Sequence, residues 1–210
     1  MAHILITSGP TRQYLDPVRY LTNASSGRMG KALAEAALAL GHQVTIVTGP
    51  VEVSYPAGAE AIRIISTEEL LETCRRVFPL CDGLIGAAAP CDYRPHKVAE
   101  NKISKTGEPL RLELIETPDV VATMATSKQP RQWVVGFALE TEDQRLRALA
   151  KLERKSCDLI VLNGPDAMNA LDNQVEIIDR HGDVLAAISG AKEAVATAIL
   201  RVIDEQLIRA

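Results

Sequence analysis

The chain has 210 residues, 47% of them hydrophobic and 24% charged, with a formal net charge of −4. That is the composition of an ordinary folded domain of α/β size with a sizeable core, and it excludes a disordered or collagen-like chain. The negative balance and an aromatic content of 3% argue against a nucleic-acid partner held by bulk charge or base stacking, and no apolar run reaches the roughly 18 residues that cross a membrane.

Met1-Ala2-His3 leads straight into Ile4-Leu5-Ile6, an apolar run that reads as a buried parallel strand ending at Ser8-Gly9-Pro10. No basic region followed by a long apolar stretch precedes it, so no secretory signal is expected. A long polar loop carrying Arg12, Asp16, Arg19 and Asn23 follows. It closes on Ser25-Ser26-Gly27-Arg28-Met29-Gly30 and on a helix over Lys31 to Leu40, stopped by Gly41. Small residues at a helix start, beyond the carboxyl end of a strand, suit an anion: free N–H groups and the helix dipole both favour negative charge there. A dinucleotide site would instead need G-x-G-x-x-G after the first strand and an acid after the second. Neither is present, since the second strand, His42 to Val47, runs into Thr48-Gly49-Pro50.

A loop over Val51 to Ala61 leads to a third strand, Ala61 to Ile65. Ser66 with Glu68 and Glu69 then marks the start of a helix reaching about Phe78. Gly83 to Ala89 is a strand of small residues that delivers Pro90-Cys91-Asp92-Tyr93 at its end, leaving room for a ligand or for tight helix packing. Residues 96–115 break the pattern. Lys97, Lys102 and Lys105 lie in a stretch with little apolar periodicity, and Leu110 to Ile115 alternates like a half-exposed strand. This segment reads as a hairpin or flap outside the main sheet, and by composition alone as a solvated charged loop.

Thr117-Pro118-Asp119 predicts a helix start with proline in its first turn. Trp133 to Ala138 is a strand ending at Glu140-Thr141, and Glu142 to Ser156 is a charged amphipathic helix with Lys151 and Lys155 on one face. Asp158 to Asn163 is a further strand. Val175–Asp179 and Val184–Ile188 flank the turn residues Arg180 to Asp183 as a hairpin, and Ala191 to Ile208 is a closing amphipathic helix. Cys74, Cys81, Cys91 and Cys157 contain no C-x-x-C and read as buried free thiols. Alternating strands and helices of this kind predict an α/β, Rossmann-like, mostly parallel, doubly wound sheet in a single domain over 1–210, with the flap at about 96–115.

The opening GPTRQYLDPVRYLTNASSGRMG (9–30) resembles that of the phosphopantothenoylcysteine synthetase family of coenzyme A biosynthesis. The resemblance continues, in order and spacing, through GHQVTIVTGP (41–50), AAAPCDYRP (87–95), KISK (102–105), TPDVVA (117–122), VVGFALET (134–141), KLERKSCDLIVLN (151–163) and DNQVEIID (172–179). It implies a phosphopantothenate–cysteine ligase that joins 4′-phosphopantothenate to cysteine through an acyl-nucleotidylate. Bacterial members use CTP and release pyrophosphate and CMP, and the motifs here resemble theirs more than those of ATP-preferring eukaryotic members. By the same resemblance Asn23 and Lys102 carry the chemistry, and Arg19, Asn23 and Ala89 bind substrate. Ser25, Ser26, Gly27, Asp92, Lys102, Pro118, Asp119, Val120, Val121, Phe137, Lys151 and Lys155 fall to the nucleotide. Mg²⁺ or Mn²⁺ is implied with its ligands unassigned, as are a cytoplasmic location and a homodimer in which the flap is an arm for the partner.

Three positions depart from the family. Pro90-Cys91 stands where Val-Ala is common, Ser104 replaces a lysine of the flap, and Leu162 replaces the usual alanine before Asn163. Many bacterial members also carry an N-terminal flavin-dependent decarboxylase domain. This chain opens at the synthetase strand, as a stand-alone enzyme or an excised domain would.

Overall fold

The computed structural model describes residues 1–139, 143–163 and 172–209. Its centre is an eight-stranded sheet. Six strands are parallel: β1 (His3–Ser8), β4 (Gln43–Thr48), β5 (Glu60–Arg63), β6 (Gly83–Gly86), β9 (Trp133–Leu139) and β10 (Leu159–Asn163). Across the sheet they run β10-β9-β6-β1-β4-β5. Counted among the parallel strands alone, this is the doubly wound order 3-2-1-4-5-6. The hairpin β11 (Asp172–Asp179) and β12 (Val184–Ala191) continues the sheet antiparallel beyond β10. Its turn is built on Asp179, whose Oδ1 accepts the N–H groups of His181 and Asp183, both at 2.9 Å.

Helices cover both faces. On one, α1 (Arg28–Ala39) packs beside α5 (Lys192–Ile203), and Leu33, Ala37, Val195 and Ile199 are buried over Ile4, Ile6, Ile46 and Val135. On the other lie α2 (Thr67–Val77), α3 (Val120–Ser127) and α4 (Gln144–Lys155), which bury Leu70, Met124 and Leu152. The inner strands contact helices on both faces, so they are continuously apolar and not alternating. Ser66 caps α2 by accepting the N–H of Glu69 at 3.1 Å, as its sequence signals. Among the described residues no helix is long and apolar enough to cross a membrane.

Several elements differ from the sequence reading: the strand expected over Gly83 to Ala89 ends at Gly86, and the regular closing helix ends at Ile203. The polar loop after β1 contains a small hairpin, β2 (Arg12–Tyr14) with β3 (Tyr20–Thr22). Three-residue strands are too short to show a period of two. Helix α1 starts at Arg28, one residue after Gly27, whose φ of 74° sets the chain at the helix entrance. Pro118 lies before α3, because Asp119 is the capping residue and accepts the Ala122 N–H at 3.1 Å. In the flap, only Leu114–Glu116 (β8) pairs, antiparallel to Tyr93–Pro95 (β7), so the expected strand over 110–115 keeps its last residues alone. Glu140, Thr141 and Glu142, read as a strand end and a helix start, lie outside the described residues.

The entry to α1 is held against the end of β1. The Ser8 hydroxyl donates to the Gly27 carbonyl at 3.3 Å and accepts from the Tyr55 hydroxyl at 2.9 Å. A Cβ added at Gly30 would lie 2.1 Å from the Ser8 Oγ and 2.5 Å from its Cβ, so only glycine allows this approach. Gly30→Ala is therefore expected to destabilise the fold by about 1–3 kcal/mol, as overpacking does. For a chain of this size that lowers Tm by roughly 2–4 °C per kcal/mol. A thermal melt checks it, and an unchanged Tm would mean that the helix entrance yields freely.

Candidate functional site

The order of the parallel strands reverses at β1. The connection from β1 leads through α1 to β4 on one side, and the chain returns to β6 on the other. The carboxyl ends of β1 and β6 therefore diverge, and a crevice opens where ligands bind in such sheets. A bridge from Pro10 to Ala89 and a hydrogen bond from the Ala89 N–H to the Gly9 carbonyl at 2.9 Å floor it.

Two cavities flank this floor. The narrower, of about 180 Å³, sits over the start of α1 and is lined by Ser25, Ser26, Gly27, Ala89, Asn163 and Lys192 among others. The wider, of about 420 Å³, lies on the α3 side and takes in Asp92, Pro118, Asp119, Val120, Val121 and Lys155. Ala88 and Phe137 line both. The residues assigned to the nucleotide by resemblance thus divide. Ser25 to Gly27 share the narrow cavity with Ala89, and most of the rest line the wide one. Asn23, Arg19, Lys102 and Lys151 line neither.

The described lining of the narrow cavity carries cationic side chains and no acidic one. Helix α1 has no side chain capping its first turn and no acid within it, so its leading N–H groups and dipole face the cavity uncompensated. Arg28 and Lys192 add cationic side chains to the lining. Burial first, and then the charge of Arg28, pull the Lys192 ammonium below its ordinary range, with Glu193 opposing them. The side-chain oxygen of Asn163, at the end of β10, is buried with no hydrogen-bond partner among the described residues. Lys192, Arg28 and Asn163 were not picked out from the sequence. Lys192 starts a helix that follows the hairpin at the far edge of the sheet, and nothing local signals that it returns to the centre.

Asn23 spans the crevice. Its side-chain amide donates to the carbonyls of Pro90 at 2.8 Å and Ala89 at 3.3 Å, tying the loop after β3 to the chain leaving β6. The rim next to it is set by threonines. The Cys91 N–H donates to Thr11 Oγ1 at 2.8 Å, and the Cys91 carbonyl accepts from Thr117 Oγ1 at 2.6 Å and from Thr67 Oγ1 at 3.3 Å. The thiol itself turns to the carbonyls of Thr11 and Leu21 at 3.4 and 3.5 Å, and burial raises its pKa. The departure at Pro90-Cys91 is thus absorbed by the loop behind the rim.

Across the wide cavity Lys155 of α4 reaches Asp119, with Nζ at 3.0 and 3.2 Å from its two carboxylate oxygens. Asp119 thereby caps α3 and ties it to α4. Lys151 lies one turn earlier on α4 and engages elsewhere.

The flap is fastened to the β2–β3 turn. Asp16, with a fully buried side chain, accepts the N–H groups of Val18 and Arg19 at 2.8 Å through Oδ1 and that of Ile103 at 3.1 Å through Oδ2. Arg19 donates to the Ile103 carbonyl at 2.9 Å. Burial alone would raise the Asp16 pKa. The three backbone donors and the Arg19 charge outweigh it and hold the pKa below the ordinary carboxyl value.

The sequence pattern of the DNA/pantothenate metabolism flavoprotein C-terminal domain family matches residues 1–207. Over 210 residues the chain is 40% identical to the coenzyme A biosynthesis bifunctional protein CoaBC of Vibrio cholerae, covering 97% of this chain and 52% of that protein. The chain spans about half the length of the curated relatives it matches. A crystal structure of the C-terminal domain of a CoaBC protein superposes with a TM-score of 0.84 at 34% identity, over 99% of this chain and 96% of that one. A Cab2 mutant in complex with phosphopantothenate-cysteine shares the fold, with a TM-score of 0.76 at 19% identity over 97% of this chain and 86% of that one.

The threonine rim is open to a direct check. Thr11→Val keeps the shape and removes the acceptor for a buried N–H, which is expected to cost about 1–3 kcal/mol. A melt should show the loss and amide exchange at Cys91 should rise. Thr11→Ser, which keeps the hydroxyl, should restore most of both. A loss for Thr11→Ser with none for Thr11→Val would show that the methyl group, and not the hydroxyl, matters.

Proposed function

From the premise that the chain belongs to the DNA/pantothenate metabolism flavoprotein C-terminal domain family, we propose that it is a cytoplasmic ligase joining 4′-phosphopantothenate to L-cysteine, with CTP as co-substrate. The observation that carries this reading is the pair of cavities meeting at Ala88 and Phe137, one at an uncapped helix start and one walled by Pro118 to Val121. A nucleotide base seated in the wide cavity would place its phosphates towards the start of α1. The substrate carboxylate attacks the α-phosphate, pyrophosphate leaves, and the cysteine amine then displaces CMP from the acyl carbon. Neither step needs a side-chain nucleophile. What the chain must supply is orientation and positive charge for the crowded phosphate oxygens.

Asn23 and Lys102 are the residues proposed to act on the reacting groups, with Arg19 and Ala89 on the substrate. Base selection falls to backbone groups around Ala88, Ala89 and Pro118 to Val121, since few long polar side chains line that wall. Mg²⁺ or Mn²⁺ would supply charge neutralisation at the phosphates. Among the described residues no three metal-binding side chains gather. Of the three described carboxylates lining the wide cavity, Asp119 is engaged by Lys155, and Asp92 and Glu116 would suit an ion that arrives largely coordinated by phosphate and water. A homodimer is supported by the apolar surface of the β2–β3 hairpin and the flap, where Tyr14, Tyr93, Val98, Leu110 and Leu112 are exposed.

A pyrophosphate-release assay with CTP and ATP in parallel tests the reading. Turnover with CTP well above that with ATP at limiting concentration is expected, together with formation of the cysteine adduct. Equal use of the two removes the nucleotide assignment, and no adduct with either removes the function.

Asn23→Asp provides a second test. The new carboxylate would face the Ala89 and Pro90 carbonyl oxygens that the amide now serves, and would meet an anionic intermediate. Turnover should fall by roughly 10²–10³, the scale of losing one donor to a developing oxyanion. Because the side chain is exposed, stability should change by less than about 1 kcal/mol. A folded variant with normal turnover would take Asn23 out of the site.

A further inference from the structure

The Asp16–Arg19 pair closes a ring around one residue of the flap. Asp16 Oδ2 takes the Ile103 N–H at 3.1 Å, Arg19 Nη2 gives to the Ile103 carbonyl at 2.9 Å, and Arg19 Nη1 lies 3.3 Å from Asp16 Oδ2. Both polar backbone groups of Ile103 are thus held by one ion pair. The pair is itself locked to its turn by the Val18 and Arg19 N–H groups. A second tie, from the Ala99 N–H to the Leu15 carbonyl at 2.9 Å, fastens the flap just before it. Among the described residues, the hydrogen bonds joining 97–112 to the rest of the chain run through Ala99 and Ile103. Lys102 sits between these ties and is the immediate neighbour of the clamped residue.

This arrangement is more than a loop needs to stay folded. A fully buried carboxylate with three backbone donors and one ion pair is a demanding object to place under a polar, exposed segment. Charge-assisted bonds from fixed donors define a backbone position more sharply than neutral ones. Arg19 has five N–H donors, and serving Ile103 leaves others to face a ligand.

We propose that Asp16 is a positioning residue for Lys102: with Arg19 it grips Ile103 and fixes the backbone from which the lysine extends, so that the ammonium acts from a set place. The proposal rests on the ligase reading for what Lys102 does, and on the clamp geometry alone for how it is held.

The experiment is a double-mutant cycle read by single-turnover pyrophosphate release with CTP, alongside amide exchange in the same proteins. Asp16→Asn removes the charge that holds Arg19 and puts an amide where the Ile103 N–H needs an acceptor. The chemical step should slow by between about 10- and 100-fold, as small misplacements of a reacting group do, with KM for CTP changing less. Lys102→Gln should slow it at least as much. Adding Asp16→Asn to Lys102→Gln should then cost less than about threefold, because residues acting through one group are not additive. Lys105→Gln, three positions further along, should leave the Asp16→Asn effect at full size. In the wild type the Ile103 amide should exchange more slowly than that of Ser104, and Asp16→Asn should abolish the difference while β1 and β6 stay protected.

Additive losses in the cycle, or an Ile103 amide exchanging as fast as its neighbours in the wild type, would overturn the proposal. So would an Asp16→Asn chain that fails to fold, since the pair would then serve the fold as a whole. A wild type that makes no adduct yet protects the Ile103 amide would refute the ligase reading and leave the clamp standing.

Discussion

The reversal of strand order at β1 is the constraint on which the site depends. Successive parallel strands added on one side of a sheet leave no gap at their carboxyl ends, because each loop packs on the last. Here the connection after β1 goes one way, towards β4, and the connection after β6 goes the other, towards β9. The loops therefore part, and Gly9 and Ala89 meet only through a backbone bridge at the bottom. Everything placed near this gap has a reason to be small: Gly27, Gly30, Gly86 and the run Ala87 to Ala89. At Gly86 a Cβ would come within 2.6 Å of Val121, so the floor can be thin only because those side chains are absent.

The same geometry gathers cationic groups locally in an acidic chain. A net charge of −4 says little about a pocket whose field is local. In the narrow cavity the potential comes from backbone dipoles that no side chain caps and from two cations held near each other. Their mutual repulsion is a standing cost that a bound anion relieves. In the wide cavity Lys155 is engaged by Asp119, and Asp92, Glu116 and Arg154 add further charged side chains to the lining. On the proposed reading the phosphates meet the leading N–H groups of α1, and the base meets the apolar and backbone groups around Ala88 and Pro118 to Val121. Exposure screens the Lys155–Asp119 pair, so its energetic value is small and its use is to keep α3 and α4 in register.

Much of this was legible in the sequence, and the parts that were not share a cause. The apolar runs from Ile4, Val44 and Val134, the Ser66 cap and the Asp179 turn all announce themselves within a few residues, and the elements follow them. Pro118 misled by one turn: proline suits the first position of a helix, but Asp119 is the better cap and claims the boundary. The β2–β3 hairpin escaped because three-residue strands are too short to show a period, and the shortened flap strand because its pairing is decided by Tyr93–Pro95, well back along the chain. Asp16 could be noted as a polar loop residue and nothing further. Its donors include Ile103, 87 positions away, and no local pattern marks a buried carboxylate. Lys192 and Asn163 are likewise assembled by topology, at the ends of elements that look ordinary in isolation.

What joins the two cavities is a partition one layer thick. Ala88 and Phe137 face both sides, and they sit at the ends of adjacent parallel strands whose register is fixed by the pairing of Gly86 with Gly136. The distance between groups bound on either side is therefore set by the sheet, the most rigid part of the molecule, and not by the loops that supply polar contacts. A reaction between a carboxylate and a phosphate gains most from such an arrangement. Its barrier is dominated by bringing two anionic partners together in line, and a fixed separation across a rigid wall removes that cost before the chemistry begins. The loops are then left with a narrower role, in which Asn23 ties the chain leaving β6 across the crevice and, on the proposed reading, the clamped flap carries Lys102.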